Sequence, residues 1–209
     1  MAVTARDVKS LRERTGAAMM DCKAALSEAD GDIDKAIEIL RVKGQASAAK
    51  RSGRSTSEGT VASYIHANGK VGVMVEVQCE TDFVAKNEDF QEFAREVALH
   101  VAGAPAVPAY VSADEIPEEA KEAERRVFTA KAAEEGKPEH IVGKIVDGQL
   151  RNWSKQVALL EQEHIRGDRY EGKTIEKIRE ELAAKTGENI RIARFARFAV
   201  GEDAGRPGE

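Results

Sequence analysis

Between Val71 and Asn87 the chain changes period once, and sharply. Val71, Val73, Val75, Val77 and Cys79 alternate with other residues, so they share one face of a strand. The alternation stops at Glu80-Thr81-Asp82. A large apolar residue, Phe83, follows where the strand must end. From Asn87 apolar positions recur at helical spacing: Phe90, Phe93, Ala94, Val97 and Val101 make the stripe of a helix over 87–103. Asn87 can cap that helix, and Glu88 and Asp89 suit its positive end. The pattern thus predicts a buried strand that delivers a short polar-aromatic loop, Thr81-Asp82-Phe83-Val84. Rigid flanks with an aromatic tip suit a probe pushed into another molecule. Upstream, Thr60–His66 should pair with Val71–Cys79 across Ala67-Asn68-Gly69-Lys70. Asn-Gly is the preferred pair for a type I′ hairpin turn.

Residues 1–44 show the spacing of three short helices. Thr4 can cap the first, with Asp7 three positions on, and Val8 and Leu11 form its stripe. Thr15-Gly16 ends it. The second covers about 18–29, with Met19, Met20, Ala24 and Leu26 available for burial. Asp30-Gly31-Asp32 is a turn, with Asp32 as the next cap. Ile33, Ala36, Ile37 and Leu40 then fall on one helical face, and Gly44 is expected to end the helix. So small a unit has a thin core, and exposed methionines near Thr15-Gly16 would offer an adaptable docking surface. Residues 45–59, rich in Ala, Ser, Gly, Lys and Arg, read as a basic flexible linker.

After His100, at the edge of its stripe, comes a loop with three prolines. Two helices follow, over about 118–135 and 139–150, and the pattern of the second can continue past Trp153. The first is too polar to be buried, so 117–153 reads as a projecting helical hairpin. Thr174 caps a last helix with Ile175, Ile178 and Leu182 inward, ended by Gly187. Ile190, Ile192, Phe195 and Phe198 break two-residue phase, which predicts a bulged third strand joining the hairpin. Residues 201–209 read as a disordered tail. The fold class is α+β: a three-helix unit at 1–44, then a core at 60–200 built on a small three-stranded antiparallel sheet packed with helices.

Composition narrows function by exclusion. One third of the 209 residues are charged, the net charge is -5, and this balance argues against a protein that mainly coats nucleic acid. No apolar run approaches the ~20 residues of a membrane span, and the N-terminus lacks the apolar core of a secretion signal. Cys22 and Cys79 are too far apart in sequence to form a zinc pattern, and read as buried cytosolic thiols. No phosphate loop, nucleophile-base set, His-Glu-x-x-His or carboxylate dyad is present. These features point to a protein that acts by contact, needs no cofactor and is not an enzyme.

Two stretches resemble a known family. Leu11-Arg-Glu-Arg-Thr-Gly-Ala-Ala-Met-Met-Asp-Cys-Lys-Ala-Ala-Leu26 followed by Gly31-Asp-Ile-Asp-Lys-Ala-Ile37 is similar to the N-terminal signature of bacterial elongation factor Ts. Glu76-Val-Gln-Cys-Glu-Thr-Asp-Phe-Val-Ala-Lys-Asn87 resembles its second signature. The resemblance implies a cytoplasmic guanine-nucleotide exchange factor for elongation factor Tu, binding its GDP-bound and nucleotide-free forms. It implies a ubiquitin-associated-like N-terminal unit that docks on the partner through Val8, Leu11, Arg12, Thr15, Gly16, Met19 and Met20. It further implies that Thr81, Asp82, Phe83 and Val84 dislodge the partner's Mg2+, with His100 near the partner surface. Longer members carry two core half-modules and a C-terminal helical extension. This chain shows one strand set, so a homodimer is the simplest way to complete the core. Two other readings stand beside this one. An adaptor would use the ubiquitin-associated-like unit to bind a protein ligand. An RNA-binding protein would use Lys50, Arg51 and Arg54, with steeply salt-dependent affinity.

Overall fold

The computed structural model describes residues 3–15 and 17–202, and for 45–49 the backbone only. The element order is α1 (Ala5–Thr15), α2 (Met19–Glu28), α3 (Ile33–Ser52), β1 (Glu58–Ile65), β2 (Val71–Cys79), α4 (Asp82–Ala85), α5 (Glu88–Gly103), α6 (Glu118–Glu134), α7 (Glu139–Val157), α8 (Gly167–Tyr170), α9 (Ile175–Thr186) and β3 (Arg191–Ala199). Single 3-10 turns lie at Ala113–Glu115 and Leu159–Glu161. The strands form one antiparallel sheet in the order β1-β2-β3, so the fold is α+β. Two compact units are present. One holds the residues up to Val61 with Glu76–Ala94 and Lys177–Ile192, the other Ala62–Val75 with Arg95–Glu176 and the residues from Ala193 on.

In the first unit, α1, α2 and α3 close over a core of Val8, Leu11, Cys22, Ala25, Leu26, Ala29 and Ala36. Ile33, Ile37 and Leu40 pack against it. The caps read from sequence are formed. Asp7 N donates to Thr4 Oγ1 at 3.3 Å while Thr4 N donates to Asp7 Oδ2 at 3.1 Å, a reciprocal box. Asp32 Oδ1 accepts from Asp34 N and Lys35 N, both at 3.0 Å. Of the four α2 residues available for burial, only Leu26 is in the core; Met19, Met20 and Ala24 face outward. Cys22 and Ala25 take the inward positions instead.

Two expectations about local structure give way. α3 does not stop at Gly44 but continues to Ser52. A helical Gly costs about 1 kcal/mol relative to Ala, and the helix formers after it outweigh that where no left-handed cap is made. The hairpin turn is not type I′: Gly69 has φ 68°, but Asn68 does not have positive φ. Gly69 N donates to His66 O at 2.7 Å, so the turn is built on Ala67 and Asn68 with glycine as the left-handed residue that follows. Asn68 contributes through its side chain, whose Oδ1 accepts from Lys70 N. α7 starts after Pro138 and runs to Val157, past Trp153 as expected.

β2 alternates as expected, with Val73, Val75, Val77 and Cys79 buried. α5 buries Phe90, Phe93, Ala94, Val97, Ala98 and Val101. β3 changes phase between Ile192, which is buried, and Ala193, after which odd-numbered positions are half-buried and Phe198 is exposed. α6 and α7 pack as an antiparallel pair, tied by Arg125 to Asp147 at 2.9 Å. The tail read as 201–209 lies outside the described residues from 203 on.

Candidate functional site

The Thr81–Val84 stretch is a helical turn rather than a loop. Thr81 is extended (φ -127°, ψ 155°) and caps α4, its Oγ1 accepting from Val84 N at 3.4 Å. Ala85 N and Lys86 N then close on Thr81 O and Asp82 O, both at 3.1 Å. A single turn is too short to show periodicity in sequence, which is why the stretch reads as a loop. Asn87 ends the turn and opens α5, accepting Asp89 N on Oδ1 at 2.9 Å. The apolar ring of Phe83 is 82% exposed at the middle of this turn. Its neighbour Asp82 accepts from Lys86 Nζ at 2.7 Å, and this bond holds the Asp82 carboxyl below the usual carboxylate range. Val84 is half-buried and Ala85 buried, so the turn is seated on one side and bare on the other.

Two glutamates brace the turn from a distance in sequence. Glu188 Oε2 accepts from Glu80 N at 3.0 Å and Thr81 N at 3.1 Å, and its Oε1 accepts from Thr81 Oγ1 at 2.6 Å. In return Glu80 Oε1 accepts from Asn189 N at 2.6 Å and from Arg54 at 3.3 Å. The Asn189 amide donates to Arg54 O at 3.0 Å and Ser52 O at 3.4 Å, just past the end of α3. Beneath the turn, Cys79 donates its S–H to Thr81 O at 3.2 Å. Burial, reinforced by Glu188, pushes the Cys79 thiol up to about 11, which keeps it protonated for that bond. Nothing in local pattern marks Glu188 or Asn189: they follow a helix stop 107 residues from the strand they hold. Arg54, one of the basic residues considered for RNA, is committed to this clamp.

The residues named for docking divide by exposure. Arg12, Met19 and Met20 are exposed, Met20 by 72%. Thr15 is half-buried and donates to Leu11 O at 2.7 Å. Val8 and Leu11 are core residues that position the others. Gly16 falls outside the described residues. His100 lies away from the surface, 1% exposed. Its Nδ1 accepts from Ile165 N at 3.2 Å, so Nε2 carries the proton and meets Gln162 Oε1 at 2.8 Å. Gln162 passes its own amide to Ala106 O and Gln156 O. Burial pulls the His100 pKa down to about 4, against the partial compensation of the Gln162 bond. Next to it, buried Glu96 is held by Arg166 at 2.7 Å and Arg169 at 3.1 Å. That ion-pair network also went unseen in the sequence, because α5 and the 164–169 segment are distant in the chain.

A family model described as Elongation factor TS matches residues 2–202. The chain belongs to the elongation factor Ts family. The elongation factor Ts of Desulfosudis oleivorans is 54% identical over 200 residues, covering 96% of this chain and 98% of that one. That of Caldanaerobacter subterraneus is 52% identical with the same coverage, and that of Carboxydothermus hydrogenoformans 50% identical over 99% of this chain and 93% of its own length.

Proposed function

We propose that this chain is a cytoplasmic exchange factor that binds GDP-bound elongation factor Tu and promotes GDP release, without cofactor or covalent chemistry. The observation that carries the reading is Phe83: a large apolar ring, exposed at the tip of a capped and braced turn. An unpartnered aromatic side chain on a stiff mount is suited to enter a partner's pocket, where buried aromatic anchors supply most of the binding energy. Arg12, Met19 and Met20 supply a second, adaptable contact. In this reading Phe83 wedges apart elements of the partner's nucleotide-binding domain, and Asp82, kept charged by Lys86, supports the displaced geometry. Mg2+ tolerates little departure from octahedral coordination, so small shifts release it. The phosphate charge it balanced then favours GDP departure. The coupling is reciprocal: the factor weakens GDP by the same ratio as GDP weakens the factor. His100 serves by fixing α5 from inside, not by touching the partner.

The test is the release of fluorescent GDP from elongation factor Tu. Phe83→Ala should slow stimulated release about tenfold, the loss of about 1.4 kcal/mol of coupling, while melting at the wild-type temperature. An unchanged release rate removes the wedge.

A homodimer is the second element of the reading. Ile65, Val71, Met74, Phe198 and Val200 line an open groove of about 420 Å³ on the sheet. Four of these five side chains are exposed hydrophobics, and a second copy presenting the same groove would cover them.

A further inference from the structure

We propose that Glu188 is a positioning residue for exchange, acting through the aim of Phe83; the inference rests on the function proposed above. Three donors converge on its one carboxylate: Glu80 N, Thr81 N and Thr81 Oγ1. The third matters most. A hydroxyl has a single proton, and the 2.6 Å bond to Oε1 fixes where it points. With that proton engaged, the lone pairs of Thr81 Oγ1 are free to face Val84 N, the cap of α4. The cap therefore has its own support, and that support lies at the junction of α9 and β3.

Glu188 is itself held. Gly187, at φ 76°, turns the chain out of α9. Glu188 N donates to Thr186 Oγ1, and the next residue's N–H is bound by Glu80. The two glutamates thus tie each other's backbones, each accepting from the segment that carries the other. Phe83 is almost fully exposed, so its direction is set by the backbone of residues 80–84. A wedge on a loose mount would spend binding energy on ordering itself before it could displace anything. Removing the carboxylate leaves Glu80 N, Thr81 N and the hydroxyl without their acceptor and lets the turn fray from its first residue.

The experiment measures stimulated GDP release from elongation factor Tu across factor concentrations. Glu188→Ala should lower the maximal rate about tenfold, while the half-saturating concentration stays within threefold because α1 and α2 still dock. Glu188→Gln, whose amide oxygen keeps two of the three donors, should retain at least a third of the maximal rate. In a Phe83→Ala background, Glu188→Ala should change the rate by less than twofold, since its effect passes through the ring. If Glu188→Ala does not fold, Thr81→Val, which removes the hydroxyl bond to Glu188 together with the cap that it orients, should lower the maximal rate at least threefold. The inference is overturned if Glu188→Ala keeps the wild-type maximal rate, or if its full loss persists without the Phe83 ring. Phe83→Ala with unaltered release would overturn the underlying function, and this inference with it; Phe83→Ala slow with Glu188→Ala normal overturns the inference alone.

Discussion

His100 Nε2 lies 2.8 Å from Gln162 Oε1, and its other ring nitrogen accepts the Ile165 amide; burial keeps this histidine neutral, against the Gln162 bond, which favours the charged form. Its neighbour His164 is buried as well, with its pKa lowered first by burial and then by the charges of Arg166 and Arg169. In the unfolded chain a histidine takes up a proton near its ordinary pKa of about 6.5. Folded His100 resists protonation until about pH 4. The unfolded state therefore binds more protons between these values, and stability falls as pH drops from about 6.5 toward 4. The loss attributable to His100 is about 3 kcal/mol. Urea unfolding from pH 7.5 to 4.5 should show a shallower fall in His100→Gln than in the wild type. Parallel curves would mean that the ring protonates without penalty.

Gly59 should tolerate no side chain. A Cβ there would lie 2.2 Å from Val77 O and 2.9 Å from Gln78 Cα, and both obstacles are backbone of β2. Neither can rotate away, so β1 would have to lift from β2. Gly59→Ala is expected to cost about 3 kcal/mol, visible as a lower urea midpoint. Gly44→Ala is the contrast: nothing lies within 4 Å of its Cβ position, and a helix gains about 1 kcal/mol from the exchange.

Asp32 caps α3 through two backbone amides. Asp32→Ala should cost about 1 kcal/mol, and Asp32→Asn only a few tenths, because the amide oxygen still accepts both bonds. Denaturation followed by helical circular dichroism would separate the two variants; equal losses would show that the carboxylate charge, not the cap, is at work.

Phe198, exposed beside the groove on the sheet, tests the dimer. Phe198→Glu would place two like charges against an apolar surface in the paired state. Sedimentation equilibrium should report a dimer for the wild type and a monomer for Phe198→Glu. A monomeric wild type at tens of micromolar would remove the dimer from the proposed function.

What could be read before the structure was whatever repeats locally. The alternation of Val71 to Cys79 specified β2 and its buried face, and the stripe from Phe90 to Val101 specified α5, because those periods are written in a few consecutive residues. Thr4, Asp32 and Asn87 marked helix starts for the same reason: a cap acts over three positions. Phe83 stood out because its chemistry conflicts with the polar residues before it. The clamp around Thr81 could not be read this way. Glu188 and Asn189 acquire meaning only once the segment before β3 lies beside the end of β2. His100 shows the opposite error: the family resemblance put it near a partner surface, although its place at the edge of the stripe fits a structural residue. Tertiary contacts from Gln162 and Ile165, more than 60 residues away in sequence, cover it.

α3 runs unbroken from Ile33 to Ser52, and its end is fastened through Ser52 O and Arg54 to Asn189 and Glu80. A cord in that place would let the N-terminal helices swivel freely, and extra length would merely enlarge their reach. A helical rod transmits angle as well as distance. One inserted residue near Gly44 would advance α1 and α2 by about 1.5 Å and rotate them by about 100°. The heading of Met19 and Met20 is therefore tied to the number of residues in α3, and an insertion of about seven, two full turns, would nearly restore it where an insertion of two would not.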